Sequence, residues 1–128
     1  MNLLDENILA DQRQVLLNWH VPFRQIGYDI ARKGIKDDNI IPFLFALRQP
    51  TFFTSDGDFY KRGFCHTRYC LVHLDVDESD TAVYIRRVLR HPEFSTHAKR
   101  MGVVIRASYS GLSVWRLHAK QELRYKWK

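Results

Sequence analysis

Several things are scarce or missing in this chain, and each absence closes off a class of function. Only two of its 128 residues are cysteine. Cys65 and Cys70 lie five positions apart with no sign of an oxidising compartment, so they read as ordinary buried thiols and not as a disulfide. His66 and His73 do not supply the paired spacing that a four-ligand zinc site needs. The N-terminal MNLLDEN has no basic segment leading into an apolar stretch, and the longest apolar run, Ile40 to Leu47, is far short of a membrane span. A soluble, cytoplasmic protein with no membrane partner is expected. No glycine-rich loop is present to cradle a nucleotide, and no serine or cysteine sits in a glycine-flanked elbow. The histidines are scattered without ligand spacing, which makes surface or core roles their default.

Acidic residues are scarce in one part only. Residues 1–85 carry 9 Lys and Arg against 12 Asp and Glu, and residues 86–128 carry 11 against 2, for a net charge of +6. The asymmetry suggests an acidic site facing a basic rim that attracts a polyanion through its phosphates. A basic, merely soluble tail explains composition equally well.

What is present fits one domain over residues 1–128: 45% apolar residues, no repeat, no low-complexity tract and no linker. Asn2 to Leu4 reads as a strand that stops at Asp5-Glu6-Asn7. Ile8, Val15 and Leu16 then recur at helical spacing. Phe23 to Tyr28 reads as a second strand. IIPFLFALRQ reads as an apolar helix with Asp38 as its N-cap and Pro42 near its first turn. Thr51 to Thr54 and Tyr69 to Leu74 read as strands. Ser79 is expected to cap a helix ended by His91-Pro92, and Val103 to Tyr109 with Leu112 to Leu117 reads as a C-terminal β-hairpin. Strands alternating with helices, and apolar without alternation, predict a mostly parallel central sheet with helices on both faces, an α/β fold. The end LRYKWK is left open as either disordered or docked on a second chain.

Ligands of such sheets sit at the carboxyl ends of strands. Asp5 and Glu6 follow the first strand, Asp56 and Asp58 the third, and Asp37 and Asp38 begin the helix between. Clustered carboxylates raise one another's pKa unless a cation neutralises them, and hard oxygen donors suit Mg²⁺ or Mn²⁺. Metal-assisted phosphodiester cleavage follows as the sharp hypothesis. Each acid also has a plainer reading: Asp38 as a helix cap, Asp56-Gly57-Asp58 as a turn, Asp5-Glu6 as a favourable helix start.

LLDEN at 3–7, DDNIIPFLFAL at 37–47 and TFFTSDGDF at 51–59 together resemble the short PIN-like family, minimal relatives of PIN-domain ribonucleases and VapC-type toxins. The similarity covers roughly residues 2–75, leaving residues 76–128 as a basic C-terminal part. It implies a three-layer PIN-like arrangement and a metal-dependent endoribonuclease centre. Carried over by position, Asp5, Asp38, Asp56 and Asp58 would be the catalytic and metal-binding acids, with Glu6 as an adjacent helper and Phe59 as a packing anchor. The chain departs from full-length PIN domains between Tyr28 and Lys36, where only Asp29 could stand for the glutamate on a separate helix. The resemblance further implies an RNA substrate, an antitoxin protein partner and a homodimer.

Asp75-Val76-Asp77 invites a haloacid-dehalogenase-type reading, but the downstream acids that chemistry needs are missing. Arg86, Arg87 and Arg90 on the predicted helix, with Lys99 and Arg100, are candidates for RNA phosphate contact, the nearby aromatics for base stacking. Those aromatics could equally pack on the core. The competing function is a non-catalytic PIN-like scaffold that dimerises or binds RNA.

Overall fold

A computed structural model describes residues 1–127. Strand β1 (Asn2–Leu4) is followed by helix α1 (Ala10–Asn18), β2 (Arg24–Gln25), α2 (Asp37–Phe45), β3 (Thr51–Thr54), β4 (Cys70–Asp75), α3 (Thr81–Arg90), α4 (His97–Arg100), β5 (Val103–Ser108), β6 (Gly111–Arg116) and β7 (Leu123–Tyr125). All seven strands form one sheet in the order β2-β1-β3-β4-β5-β6-β7. The first five are parallel, and β6 and β7 extend the sheet antiparallel.

The central strands are apolar on both faces because both faces are covered. Successive side chains on a strand point to opposite sides. Leu4, Phe53, Val72 and Ile105 accordingly join Leu16, Ile85 and Val88 of α1 and α3 in one core. Their neighbours Leu3, Phe52, Leu71 and Val104 join Ile40 and Leu44 of α2 in the other. Phe52 and Phe53 are both fully buried, one on each side. Burying a side chain of that size contributes about 1.5–3 kcal/mol.

Four local expectations change. The second strand contracts to Arg24–Gln25 because Gly27 turns the chain at φ 84° and the Asp29 carboxylate takes the Gln25 N–H at 2.9 Å. Helix α2 begins at Asp37, with Lys36 at its N-cap and no capping side chain, so Asp38 is already a helical residue and not the cap. Ser79 does not cap α3 either. Asp77 accepts from the Ser79 N–H to start a short 3₁₀ turn, and α3 follows from Thr81. Part of LRYKWK is strand β7, and Trp127 donates from Nε1 to the Ser108 carbonyl at 2.7 Å. Among the described residues no helix is long and apolar enough to cross a membrane.

Candidate functional site

The strand order reverses between β1 and β3: β2 lies outside β1, and the chain then crosses to β3 on the other side. Such a switch point opens a crevice at the carboxyl ends of the two strands, and α2 begins above it. Asp5 leaves the end of β1 and Asp56 the end of β3, and the two are coupled through Thr54. The Thr54 hydroxyl donates to Asp5 Oδ2 at 2.7 Å and its oxygen accepts the Asp56 N–H at 3.0 Å. Asp5 is also anchored through its own N–H, which bonds the Phe53 carbonyl at 2.9 Å.

Burial raises the Asp5 carboxyl above its ordinary pKa. The Thr54 hydroxyl and the backbone N–H groups of Asn7 and Glu6 oppose that rise, and the Glu6 charge adds slightly to it. Asp37 in the first turn of α2 is raised too, first by partial desolvation, then by the charge of Asp56, a side-chain hydrogen bond with Asp56, and the charges of Asp5 and Asp58. Asp37 is exposed, so the charges of the three neighbouring acids outweigh its slight desolvation. Neighbouring carboxylates of this kind favour a cation that offsets their mutual repulsion.

Not every acid expected here converges. Asp37 is the residue of α2 whose pKa the charges of Asp56, Asp5 and Asp58 raise. Asp38 instead lines a cleft of about 470 Å³ with Asp37, Asp58, Phe59, Lys61 and Phe64. Asp58 lies within the 3₁₀ turn Gly57–Phe59, which Asp56 caps by accepting the Asp58 N–H at Oδ1 at 2.9 Å. Glu6 turns away to clamp the loop before α2, accepting the Gly34 N–H at 2.8 Å. Asp29 forms an ion pair with Arg13 at 3.0 Å and is not part of the crevice. Phe59 is buried against Phe52, as a packing anchor should be.

Among the described residues no three His, Cys, Asp or Glu side chains stand close enough to hold one metal ion together. The pair Asp37 and Asp56, with Asp5 behind it, does fit Mg²⁺, which is usually bound through one or two carboxylates, retained waters and substrate phosphates.

His73 is a neighbour that sequence reasoning passed over. It follows Thr54 on the adjacent strand, and its ring lies so close to Gly57 that a Cβ added there would come within 3.1 Å of His73 Cε1. Its Nδ1 is buried without a hydrogen-bond partner. Burial lowers its pKa, Asp75 and Asp56 work against that, and Arg106 reinforces it. Only the strand register could have revealed it.

The basic residues divide. Arg86 lies over the Trp19 ring at 3.5 Å, and Arg87 over Trp127 at 4.6 Å. With Arg90, His91 and Trp127 they line a cleft of about 220 Å³. Lys99 donates to the Pro92 carbonyl at 2.8 Å. Arg100 is a correction to the expected RNA contacts: it is only 3% exposed, with its guanidinium bonded to Thr51 Oγ1, the Phe94 carbonyl and His97 Nδ1. Buried donors of this kind tie α4 to β3 and present nothing to a polyanion. No family model matches this chain, and no curated protein or solved structure matches it either.

Proposed function

We propose that this protein is a divalent-metal-dependent ribonuclease of PIN-like type that hydrolyses RNA phosphodiesters at the crevice between β1 and β3. The observation carrying this reading is the meeting of Asp5 and Asp56 at the ends of β1 and β3, joined through Thr54, with Asp37 of α2 near enough for their charges to raise its pKa. Asp37 and Asp56 are the residues that would hold Mg²⁺ or Mn²⁺. Bound there, such an ion supplies a polarised phosphate and a bound water of lowered pKa.

The chain's own residues do the rest. Thr54 holds Asp5 in one orientation, which keeps a fixed negative charge at the back of the crevice. Asp58 and Lys61 border the adjoining cleft, where the ammonium can take a phosphate oxygen next to the scissile group. Asp38 stands beside them as a wall residue. The biological setting that accompanies this reading is the toxin of a toxin–antitoxin pair, with an antitoxin protein as partner.

A pair of substitutions tests the proposal. Cleavage of a labelled RNA in Mn²⁺ should fall by on the order of a hundredfold or more in Asp37→Asn and Asp56→Asn. Asp38→Asn should retain most of the activity. Melting in Mn²⁺ gives an independent readout, since an ion that binds only the folded state stabilises it. Wild type should melt higher on adding Mn²⁺ and Asp56→Asn should not. Cleavage that persists in excess chelator, or an equal Mn²⁺ shift in both proteins, overturns the reading.

A further inference from the structure

The pairing register links the acidic crevice to positive charge on the same face of the sheet. Thr54 is opposite His73, His73 opposite Arg106, Arg106 opposite Ser113, and Ser113 opposite Arg124. Directly paired residues point to the same side. Asp5, bonded to Thr54, begins this lateral row, which therefore runs from β1 to β7. At the usual strand spacing of about 4.8 Å, Arg106 lies roughly 10 Å from Thr54 and Arg124 roughly 19 Å from it.

This part of the face is partly covered, since the Tyr60 hydroxyl donates to Glu122 Oε2 at 2.6 Å close to Arg106 and Arg124. Part of the segment after β3 packs on the carboxyl half of the antiparallel β6, which lies beside the amino half of β5: Arg62 lies over the Trp115 ring at 5.4 Å and the Cys65 thiol meets the Trp115 carbonyl. The carboxyl half of β5 and the amino half of β6 beside it carry a cleft of about 250 Å³ lined by Arg106, Ser108, Ser110, Ser113, Arg124 and Lys126, among others. Asp75 holds Arg106 by accepting from Nε at 2.9 Å and from Nη2, which leaves the Nη1 edge of the guanidinium to donate elsewhere. Arg124 is only loosely paired, 3.8 Å from Glu122, with 81% of its side chain exposed.

The arginines of α3 are a stronger concentration of charge, yet they are poorly placed to serve the crevice. Helix α3 packs on the opposite face of the sheet, with the Leu4 and Phe53 core. It follows β4 at the carboxyl edge and runs back, so Arg90 in its last turn lies at the end of the helix remote from that edge. A strand of RNA bound there would have to pass around the sheet to bring a phosphodiester to the acids.

We propose that the backbone of a single-stranded RNA lies along the row on β5 to β7, with phosphates on Arg106, Ser113 and Arg124, and reaches the carboxylates past His73. This assignment rests on the ribonuclease reading above. Phosphates spaced along one chain match cations spaced along one row, and the Ser113 hydroxyl donates between them. His73, wedged against Gly57, stands between Thr54 and Arg106 in the row.

The test is binding of a fluorescein-labelled oligouridylate of about a dozen nucleotides in EDTA, read by anisotropy over a range of salt. Arg106→Gln and Arg124→Gln should each weaken binding several-fold and reduce the salt slope by about 0.7 per lost phosphate contact. Arg86→Gln combined with Arg90→Gln should leave affinity unchanged. Arg124 is exposed, so its variant cannot fail merely by unfolding. Unchanged affinity in both row variants, a loss confined to the α3 double variant, or no binding by wild type overturns the proposal. The Mn²⁺ melting shift separates the two readings: row-dependent binding without that shift sinks the metal chemistry and keeps the surface. A shift with binding that ignores the row does the reverse.

Discussion

Asp5 and Thr54 are joined by a 2.7 Å hydrogen bond, hydroxyl to carboxylate, that fastens the end of β1 to the end of β3. The acceptor is a partly buried charge whose pKa burial pushes upward. Asparagine at this position keeps an oxygen for the Thr54 hydroxyl and removes the charge. Asp5→Asn should therefore be more stable than wild type in chelator, by about 1 kcal/mol or a few degrees in Tm, while losing RNA cleavage. Differential scanning calorimetry in EDTA checks it; a lower Tm would mean that the carboxylate is a structural necessity.

The same acids fix the direction of a pH effect. Asp5 and Asp37 both titrate above their ordinary 3.8 in the folded state. Between 3.8 and those raised values the folded chain keeps protons that the unfolded chain has released. Their stabilising contribution is thus complete below 3.8 and is lost as pH rises through the folded values. In EDTA the Tm advantage of Asp5→Asn should be largest at about pH 7 and shrink towards about pH 4. A constant difference across that range would show that Asp5 titrates normally.

Arg100 should behave as a core residue. Its burial lowers its pKa, and its three hydrogen-bond partners lie on β3, α4 and the turn before α4. Arg100→Ala leaves buried acceptors unpaired and should cost about 2–3 kcal/mol in urea denaturation. Oligouridylate affinity of the remaining folded protein should match wild type.

How much of this was legible in the sequence varies from residue to residue. Thr51 to Thr54 could be read as a strand because four β-formers end at Ser-Asp-Gly-Asp, and the paired apolar residues Leu3-Leu4 and Phe52-Phe53 announced a sheet covered on both sides. The carboxyl-edge rule placed Asp5, Glu6, Asp37, Asp38, Asp56 and Asp58 at one edge and singled out Asp38 in α2, whereas Asp5 and Asp56 are the two that Thr54 joins. Which of Asp37 and Asp38 faces Asp56 was not legible, since neighbouring helical residues point about 100° apart and no capping side chain marks where α2 starts. The row from Thr54 to Arg124 was hidden for a different reason: register belongs to pairs of strands, and no single segment encodes it. Arg100 looked like its basic neighbours because burial is decided by Thr51 and Phe94, far away in the chain.

Gly111 opens β6 at φ 150°, and a Cβ there would stand 2.6 Å from the Tyr125 carbonyl oxygen. Alanine would push β7 off its neighbour and disturb the Trp127 bond to Ser108. Gly111→Ala should cost about 1–3 kcal/mol and blue-shift or weaken tryptophan emission changes on unfolding. Wild-type stability in this variant would show that the last strand is dispensable.

The sheet ends in a two-residue strand on one side and a three-residue strand on the other. Exposed ladder groups at a border are what let chains stack into fibrils, and very short border strands deny them a template. Both margins of this fold are blunted in that way, while the long parallel strands are shielded in the middle. Self-association, where it occurs, is thereby directed to the helical surfaces, and crowded or freshly synthesised copies are guarded against runaway edge-to-edge growth.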